Sequence, residues 1–281
     1  MAPTDSLTHQ RLGPEALAEA LGLTVEVNWN QTGDDWAFFV AHGSVFGARD
    51  EVGKLVATAA LLPYPGGFAW ISLVIVAKSH RRQGIGTRML TQCLAELRSR
   101  ALVGMLDATP AGALMYEPLG FKPMMGLKRW EGTGGGGTLR DERVHPLALP
   151  GISKVSRFDA LAFGANRQAL LAHCRARAGA RGFELEGRDG YALVRPGRFA
   201  SQLGPVVAED EGDALKLLEA AIGTTAGTIY VDVPDEWAEI AAALGAHGFR
   251  VQRPFLRMAL GRDTPYGDPF RIFAIVGPEY G

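Results

Sequence analysis

One stretch of the chain constrains its fold more than any other, because a strand, a glycine turn and a helix follow each other directly. Phe68 to Val76 is almost continuously apolar, which is typical of a strand buried on both faces. His80 to Thr87 carries glycines at positions 84 and 86. From there to about Arg100, apolar side chains recur at helical spacing on one face. The stretch therefore predicts a glycine turn at the start of a helix.

This turn has the chemistry of a phosphate site. A helix start presents unpaired backbone N–H groups and the positive end of the helix dipole, and glycine lets a diphosphate approach that backbone closely. Arg81 and Arg82 add positive charge, and Thr87 adds a hydroxyl. The stretch has no Gly-Lys-Ser/Thr, and Met89 stands where a dinucleotide fingerprint requires its third glycine. The alternative is an ordinary turn with surface arginines.

Size and charge exclude several classes of protein. The chain has 281 residues, enough for two domains, and a net charge of −1 gives no argument for a nucleic-acid or membrane partner. No apolar run approaches the roughly 20 residues that span a bilayer, and Met1 to Gln10 lacks the apolar core of a signal peptide. Cys93 and Cys174 read as two thiols of a cytoplasmic protein. The histidines show no metal-ligand spacing, so no metal site is expected.

The hydrophobic pattern and the turn residues predict the remaining elements. Helices are expected at 14–21, 34–39, 84–100, 111–119, 211–221 and 235–246. Strands are expected at 43–48, 54–62, 68–76, 102–107, 121–130, 203–207 and 228–233, with a last one opening at 248. Asp34 is expected to cap the second helix. The glycine run Gly132 to Thr138 reads as flexible, which predicts domains at 1–131 and 151–281 joined by a linker at 132–150.

Two passages share one pattern, which suggests an internal duplication. Val103 to Phe121 and Thr228 to Phe249 each run through a strand, an aspartate, a proline, a helix and Gly-Phe.

The residues now match a known family. Arg81 to Gly86 matches the Arg/Gln-x-x-Gly-x-Gly/Ala signature of the GNAT acetyltransferases, and Met115 to Phe121 resembles that family's Leu-Tyr-Glu-Lys-Leu-Gly-Phe segment. The resemblance covers about 7–130, and a weaker one rests on Thr228 to Met258, so the chain resembles the tandem type with a divergent second domain. The resemblance implies an α/β fold of two GNAT-like domains, each a bent mixed sheet flanked by helices.

The resemblance also implies how acetyl-CoA binds as co-substrate. The strand matching Trp70 to Val76 splays from its neighbour, and the pantetheine arm pairs with the free edge through backbone groups. A backbone N–H of the same strand stabilises the oxyanion. The residues expected at the cofactor are Val74, Ile75, Val76, Arg81, Arg82, Gln83, Gly84, Ile85, Gly86 and Thr87.

The resemblance assigns one catalytic side chain and leaves the general base open. Tyr116 matches the phenol that protonates the departing sulfur; its alternative role is packing on the sheet. Many family members carry a basic glutamate on the strand that here offers only Ser72. Six side chains in the first half, and an ordered-water chain, stay open as the base: Asp34, Asp35, His42, Asp50, Glu51 and His80.

Aromatic and acidic residues close together suggest where an amine acceptor binds. The candidates are Trp29, Asn30, Gln31, Asp34, Asp35 and Trp36, with the tryptophans alternatively in the core. The second domain carries four carboxylates in the stretch Ala208 to Asp213, which would repel a diphosphate, so we expect it to bind no CoA. Its expected contributors to the acceptor site are Asp159, Tyr191, Arg198 and Asp232, with a purely structural role as the alternative.

The sequence therefore predicts an acetyl-CoA-dependent N-acetyltransferase that acts on a small polar amine such as an amino sugar, a polyamine or an amino acid. We expect a cytoplasmic monomer or homodimer without nucleic-acid or membrane partners. Two alternatives stay open at this point: acetylation of protein lysines or N-termini, and CoA sensing without turnover.

Overall fold

The structure is a computed structural model that describes residues 7–139 and 141–281. Residues 1–6 of the N-terminal segment and Arg140 of the predicted linker lie outside the described residues. The chain divides into two compact units. The first runs to Leu106 and includes Tyr280, and the second runs from Asp107 to Glu279 and includes Gly281.

The first unit combines a sheet with three helices in the part of the chain that the structure describes. Its strands are β1 (Thr8–Arg11), β2 (Ser44–Arg49), β3 (Leu55–Tyr64), β4 (Phe68–Val76) and β5 (Val103–Ala108), whose last two residues belong to the second unit. Its helices are α1 (Leu17–Glu26), α2 (Gly33–His42) and α3 (Ile85–Ser99).

The sheet of the first unit is mixed. β1 to β4 pair antiparallel in chain order, and β5 pairs parallel to β4 after the crossover through α3. The apolar side of α3 is buried, as its spacing predicts; its buried residues are Ile85, Met89, Leu90, Cys93, Leu94 and Leu97. This apolar side packs against β3 and β4 and holds α3 on the sheet.

The second unit is also built on strands and helices. Its strands are β6 (Phe121–Gly135), β7 (Val144–Pro146), β8 (Arg181–Leu185), β9 (Gly190–Arg195), β10 (Ser201–Ala208), β11 (Ala226–Pro234), β12 (Arg250–Leu260) and β13 (Ile272–Ala274). Its helices are α4 (Pro110–Tyr116), α5 (Ile152–Phe163), α6 (Gln168–Ala176), α7 (Glu211–Thr224) and α8 (Ala238–Ala246).

The strands of the second unit lie in the order β12-β6-β11-β10-β9-β8-β7, with β13 pairing β10. The pair β10–β11 is parallel and the other pairs are antiparallel, so this sheet is mixed as well and the predicted α/β class is confirmed. The two passages singled out as a duplication fold in the same order, as β5-α4-β6 and β11-α8-β12.

The glycine run corrects one expectation. Gly132 to Gly135 form the end of β6 and pair antiparallel with Ala226 to Ile229 on β11. This part of the run is therefore a paired strand and not a flexible connection. The composition misled because the backbone here packs closely: a Cβ on Gly132 would overlap the ring of Phe249. Position 132 therefore requires glycine because a side chain would collide with this ring.

The N-cap of α2 also differs from the expected one. Thr32 is the N-cap instead of Asp34, because the carboxylate of Asp35 accepts from the backbone N–H of Thr32 at 2.7 Å and from its hydroxyl at 3.0 Å. This capping-box arrangement starts the helix at Thr32, two residues before Asp34. Asp34 lies exposed in the first turn.

Candidate functional site

The strand expected to hold the cofactor arm leaves its neighbour partway along its length. The parallel ladder between β4 and β5 runs from the pair Phe68–Val103 to the pair Trp70–Met105. The residues of β4 from Ile71 onward extend beyond this ladder, which agrees with the splay that the family resemblance implies. A strand edge of this kind offers backbone donors and acceptors to an extended ligand.

β4 also carries a bulge at the same place. Ser72 pairs with Ala60 and Ile75 pairs with Thr58, so β4 has one residue more than β3 in this interval. Leu73 has a φ of 51°, and its carbonyl accepts a hydrogen bond from the Thr58 hydroxyl at 2.8 Å. The side chain of Thr58 thus holds the unusual backbone of the bulge.

Ser72 lies directly before this bulge. Its side chain is 9% exposed, and its hydroxyl has no hydrogen-bond partner within residues 7–139 and 141–281. A buried hydroxyl is normally paired. The strand therefore brings one uncommitted hydroxyl, and no carboxylate, to the place where the resemblance would put a base.

The turn after β4 is open and positively charged. Gly84 is the N-cap of α3 with a φ of 72°, and a Cβ built on it would meet no heavy atom within 4 Å. Arg81, Arg82 and Gln83 are exposed, and Arg82 also has a left-handed backbone, with a φ of 61°. Left-handed residues other than glycine are uncommon and tend to occur at functional sites.

These residues fit a diphosphate. The first N–H groups of α3 have no partner within the helix, two guanidinium groups lie in the same turn, and the backbone at Gly84 is sterically accessible. Arg81 already donates from Nε to the carbonyl of Val76 at 3.2 Å, so one arginine is anchored on the end of β4. Ile85 is buried under the turn, whereas Thr87 is exposed one turn into the helix.

Tyr116 ends α4, in the second unit. Its side chain is 9% exposed, and its ring lies 5.9 Å from that of Phe121. Both its expected catalytic role and packing on the sheet are compatible with this placement.

The expected acceptor residues separate into buried and accessible ones. Trp36 is fully buried and donates from its indole nitrogen to the Thr24 hydroxyl at 2.9 Å, which favours its alternative role in the core. Asp35 is 2% exposed and engaged in the cap of α2. Trp29 is half-buried and Asp34 exposed, so these two are the members that solvent reaches.

Sequence reasoning missed Tyr280, which completes this region. Its ring stacks on Phe39 with centroids 5.1 Å apart, its hydroxyl donates to Asp35 at 2.9 Å, and its carbonyl accepts from the Tyr64 hydroxyl at 2.7 Å. No local pattern signals a contact across this sequence separation. The aspartate that seemed available for an acceptor therefore already has a phenol partner.

The two expected acceptor carboxylates of the second unit lie in ion pairs. Asp232 is fully buried against Nε and Nη2 of Arg129 at 2.8 and 2.7 Å. Asp159 is fully buried against Nε and Nη2 of Arg167, both at 2.9 Å, and also accepts from the Tyr191 hydroxyl. Burial and the Asp159 charge raise the pKa of Tyr191. These contacts favour the structural alternative for Asp159, Tyr191 and Asp232.

Three of the remaining candidates for the base have local contacts, and Glu51 is exposed in the turn before β3. Asp50 accepts from the backbone N–H of Lys54 at 2.8 Å, as expected for a turn aspartate. The ring of His42 lies 4.4 Å from that of Phe38, and His80 is bonded to Ser79 within the turn. Cys93 is a free, buried cysteine, and burial raises the pKa of its thiol, which disfavours the reactive thiolate.

Basic side chains of the same unit partly neutralise the acidic start of α7. Asp210 caps the helix by accepting from the N–H of Asp213 at 2.9 Å. Arg188 pairs with Glu209 at 2.7 Å and with Asp210 at 2.8 Å. Carboxylates thus occupy the helix start where a diphosphate would have to lie.

Within the described residues, the chain has neither a membrane-spanning helix nor a cluster of metal-ligating side chains. No helix in 7–139 or 141–281 has the length and apolar character needed to cross a bilayer. The same residues contain no group of three or more His, Cys, Asp or Glu side chains arranged to hold a metal ion.

Comparison with known families finds two matches along the chain. Residues 15–121 match the acetyltransferase (GNAT) family, and residues 155–274 match an acetyltransferase (GNAT) domain. Over 246 residues, the chain is 23% identical to the uncharacterised N-acetyltransferase YitH of Bacillus subtilis strain 168. This alignment covers 85% of this chain and 86% of that protein.

Solved structures share the fold. A proposed acetyltransferase of Pyrococcus horikoshii has a TM-score of 0.84 at 22% identity, over 100% of this chain and 98% of that one. A tandem GNAT protein of the clavulanic acid biosynthesis pathway has a TM-score of 0.63 at 15% identity, over 93% of this chain and 99% of that one.

Proposed function

Because this chain belongs to the GNAT N-acetyltransferases and carries two GNAT domains in tandem, we propose that it transfers an acetyl group from acetyl-CoA to the amine of a small polar molecule. Acetyl-CoA is the co-substrate of the family, and the chain is an acyltransferase. The acceptor class and the roles of individual residues are the proposal.

The observation that carries the proposal is the turn between β4 and α3. Its accessible left-handed glycine, its two exposed arginines and the helix start behind it form the kind of surface to which a diphosphate binds. We assign the diphosphate of acetyl-CoA to residues 81–87. We assign the pantetheine arm to the part of β4 beyond the β5 ladder, at Val74, Ile75 and Val76.

In this proposal, different groups of the chain act in different steps of acetyl transfer. The neutral amine attacks the thioester carbonyl, a backbone N–H of β4 stabilises the oxyanion, and the C–S bond breaks. Tyr116 gives its proton to the departing CoA sulfur, and the second proton of the attacking nitrogen, released as the amide forms, restores the phenol. The first proton, lost by the ammonium group before the attack, leaves through a base or a water. An ammonium with a pKa near 10 must lose this proton before it becomes a nucleophile.

The two domains take different roles in the proposal. The first, assigned to residues 1–131, binds acetyl-CoA. The second, assigned to 151–281, binds none, which is supported by the carboxylates at the start of α7 and by Leu244 at the position that corresponds to Tyr116. In the proposal, the accessible Trp29 and Asp34 contact the acceptor.

Steady-state release of the CoA thiol, measured with a panel of amino sugars, polyamines and amino acids, tests this function. We expect thiol release that depends on the amine, with a saturable response to one of these classes. Turnover only with a lysine-containing peptide or a protein N-terminus would overturn the small-molecule assignment. Tight CoA binding without turnover on any amine would instead identify a sensor and refute the enzyme mechanism.

A further inference from the structure

A row of charged side chains crosses the sheet of the second unit. Arg253 on β12 lies opposite Arg129 on β6, and Arg129 lies opposite Asp232 on β11. Directly opposed residues of neighbouring strands point to the same face of a sheet. The three groups therefore share one face and lie side by side.

Arg129 and Asp232 largely satisfy each other. Nε and Nη2 of Arg129 bind the two carboxylate oxygens of Asp232, and the amide nitrogen of Gln202 donates to the same carboxylate at 2.9 Å. The guanidinium carbon of Arg129 lies 5.0 Å from the ring centre of Tyr230 and 5.5 Å from that of Phe255. This pair is thus fixed between two aromatic rings.

Arg253 makes no ion pair with a carboxylate among the described residues. Its one hydrogen bond there runs from Nε to the amide oxygen of the adjacent Gln252 at 3.0 Å, which leaves both terminal nitrogens without an acceptor. Its side chain is partly buried, and its pKa is lowered by this burial and next by the charge of Arg129. Glu131 is the nearest further carboxylate in the register, but it is exposed and accepts from Gln252 at 2.8 Å.

The row therefore holds one positive charge that no buried carboxylate neutralises. Arg129 is paired with the buried carboxylate of Asp232, and Arg253, on the other side of Arg129 in the register, is partly buried and still reached by solvent. Partial desolvation next to a second positive charge destabilises a guanidinium, and a bound anion offsets this cost. Its planar donor fork matches the two oxygens of a carboxylate.

We propose that Arg253, beside Arg129, is a binding site for the carboxylate group of a small-molecule ligand. A single uncompensated charge matches a singly charged carboxylate better than a phosphate dianion. The Tyr230 ring, which packs on the guanidinium of Arg129 and is partly exposed, provides apolar surface for the rest of the ligand. The site lies wholly within the second unit, and its ligand binding does not depend on acetyl transfer.

Titration with acetate tests the site on the full chain, followed by the backbone amide shifts of β6 and β12 in the NMR spectrum. We expect saturable shifts in the wild type and at least about tenfold weaker binding in Arg253→Gln, because a hydrogen bond to a charged group is lost. Arg250→Gln is the matched control: it removes the same charge from an exposed position of the same strand, and we expect wild-type affinity.

Three results would overturn the proposal. These are no saturable shifts in the wild type, equal acetate affinity in Arg253→Gln, or tighter binding of inorganic phosphate than of acetate at equal ionic strength. If Arg253→Gln does not fold, Arg253→Lys keeps the charge but loses the fork, and unchanged acetate affinity in that variant contradicts the assignment.

Kinetics identify the source of the carboxylate. If it belongs to the acceptor, Arg253→Gln raises the KM of an amino acid about tenfold or more and leaves the KM of the corresponding amino acid amide unchanged, with kcat kept in both cases. If the ligand is separate from the acceptor, acetate binding is weakened in the variant by the same factor while both KM values stay at their wild-type levels.

Discussion

Replacing Gly134 with alanine tests whether the glycine run is a packed strand. A Cβ at this position would overlap the carbonyl oxygen of Thr225, and it would lie 2.6 Å from Cδ1 of Ile229 and 2.9 Å from the carbonyl oxygen of Ile222. Two of these three obstacles are backbone atoms. Since backbone cannot turn aside as a flexible side chain can, the strand or the end of α7 must shift.

The magnitude follows from these contacts. Forcing one methyl group into a packed site costs about 1–3 kcal/mol, and backbone obstacles place Gly134 at about 3 kcal/mol. The alanine restricts the unfolded chain and returns about 0.4–1 kcal/mol, so we expect a net loss of about 2 kcal/mol. For a unit of this size, that loss lowers Tm by about 4–8 °C.

Thermal and urea unfolding followed by circular dichroism measure the effect. The matched control is Gly137→Ala, which makes the same exchange three residues later, where the nearest atom to the new Cβ is the carbonyl oxygen of Gly223 at 3.4 Å. This is an ordinary contact, so we expect a change below about 1 kcal/mol. Equal stability of both variants would show that residues 132–135 are not packed and would refute the strand.

Two further substitutions test single side chains. Tyr116→Phe should lower kcat and leave the affinity for acetyl-CoA unchanged in calorimetry, because only the proton donor is removed; wild-type turnover would eliminate Tyr116 as the acid. Asp159→Asn should destabilise the protein by about 3–5 kcal/mol in urea unfolding, because it leaves the buried guanidinium of Arg167 without its counter-charge. A loss below about 1 kcal/mol would contradict the description of this pair as buried and tightly coupled.

Local patterns predicted much of the fold. The apolar run 68–76 coincides with β4, and the helical spacing after it predicts α3 to within a residue at each end. Both signals are local: a strand buried on both faces is apolar throughout, and an amphipathic helix repeats every 3.6 residues. The glycine signature between them was readable for the same reason.

Contacts over long sequence separation could not be predicted. The partner of Asp35 is Tyr280, and the register that places Arg253 opposite Arg129 depends on a bulge next to Gln252. Neither has a local signature, because strand register is set by the packing of the whole sheet. The prediction for the glycine run was wrong although its signal is local. Its composition indicated flexibility, whereas close packing of the backbone requires the absence of side chains there.

The central claim is that the turn before α3 holds the diphosphate of acetyl-CoA. Calorimetric titration of acetyl-CoA into the wild type, Gly84→Glu and Gly53→Glu tests it most directly. Both glycines are left-handed, with φ of 72° and 81°, and at both a new Cβ would meet no atom within 4 Å, so backbone strain and added charge are matched. We predict that Gly84→Glu abolishes binding and Gly53→Glu does not. Unchanged affinity in a folded Gly84→Glu variant would contradict the assignment.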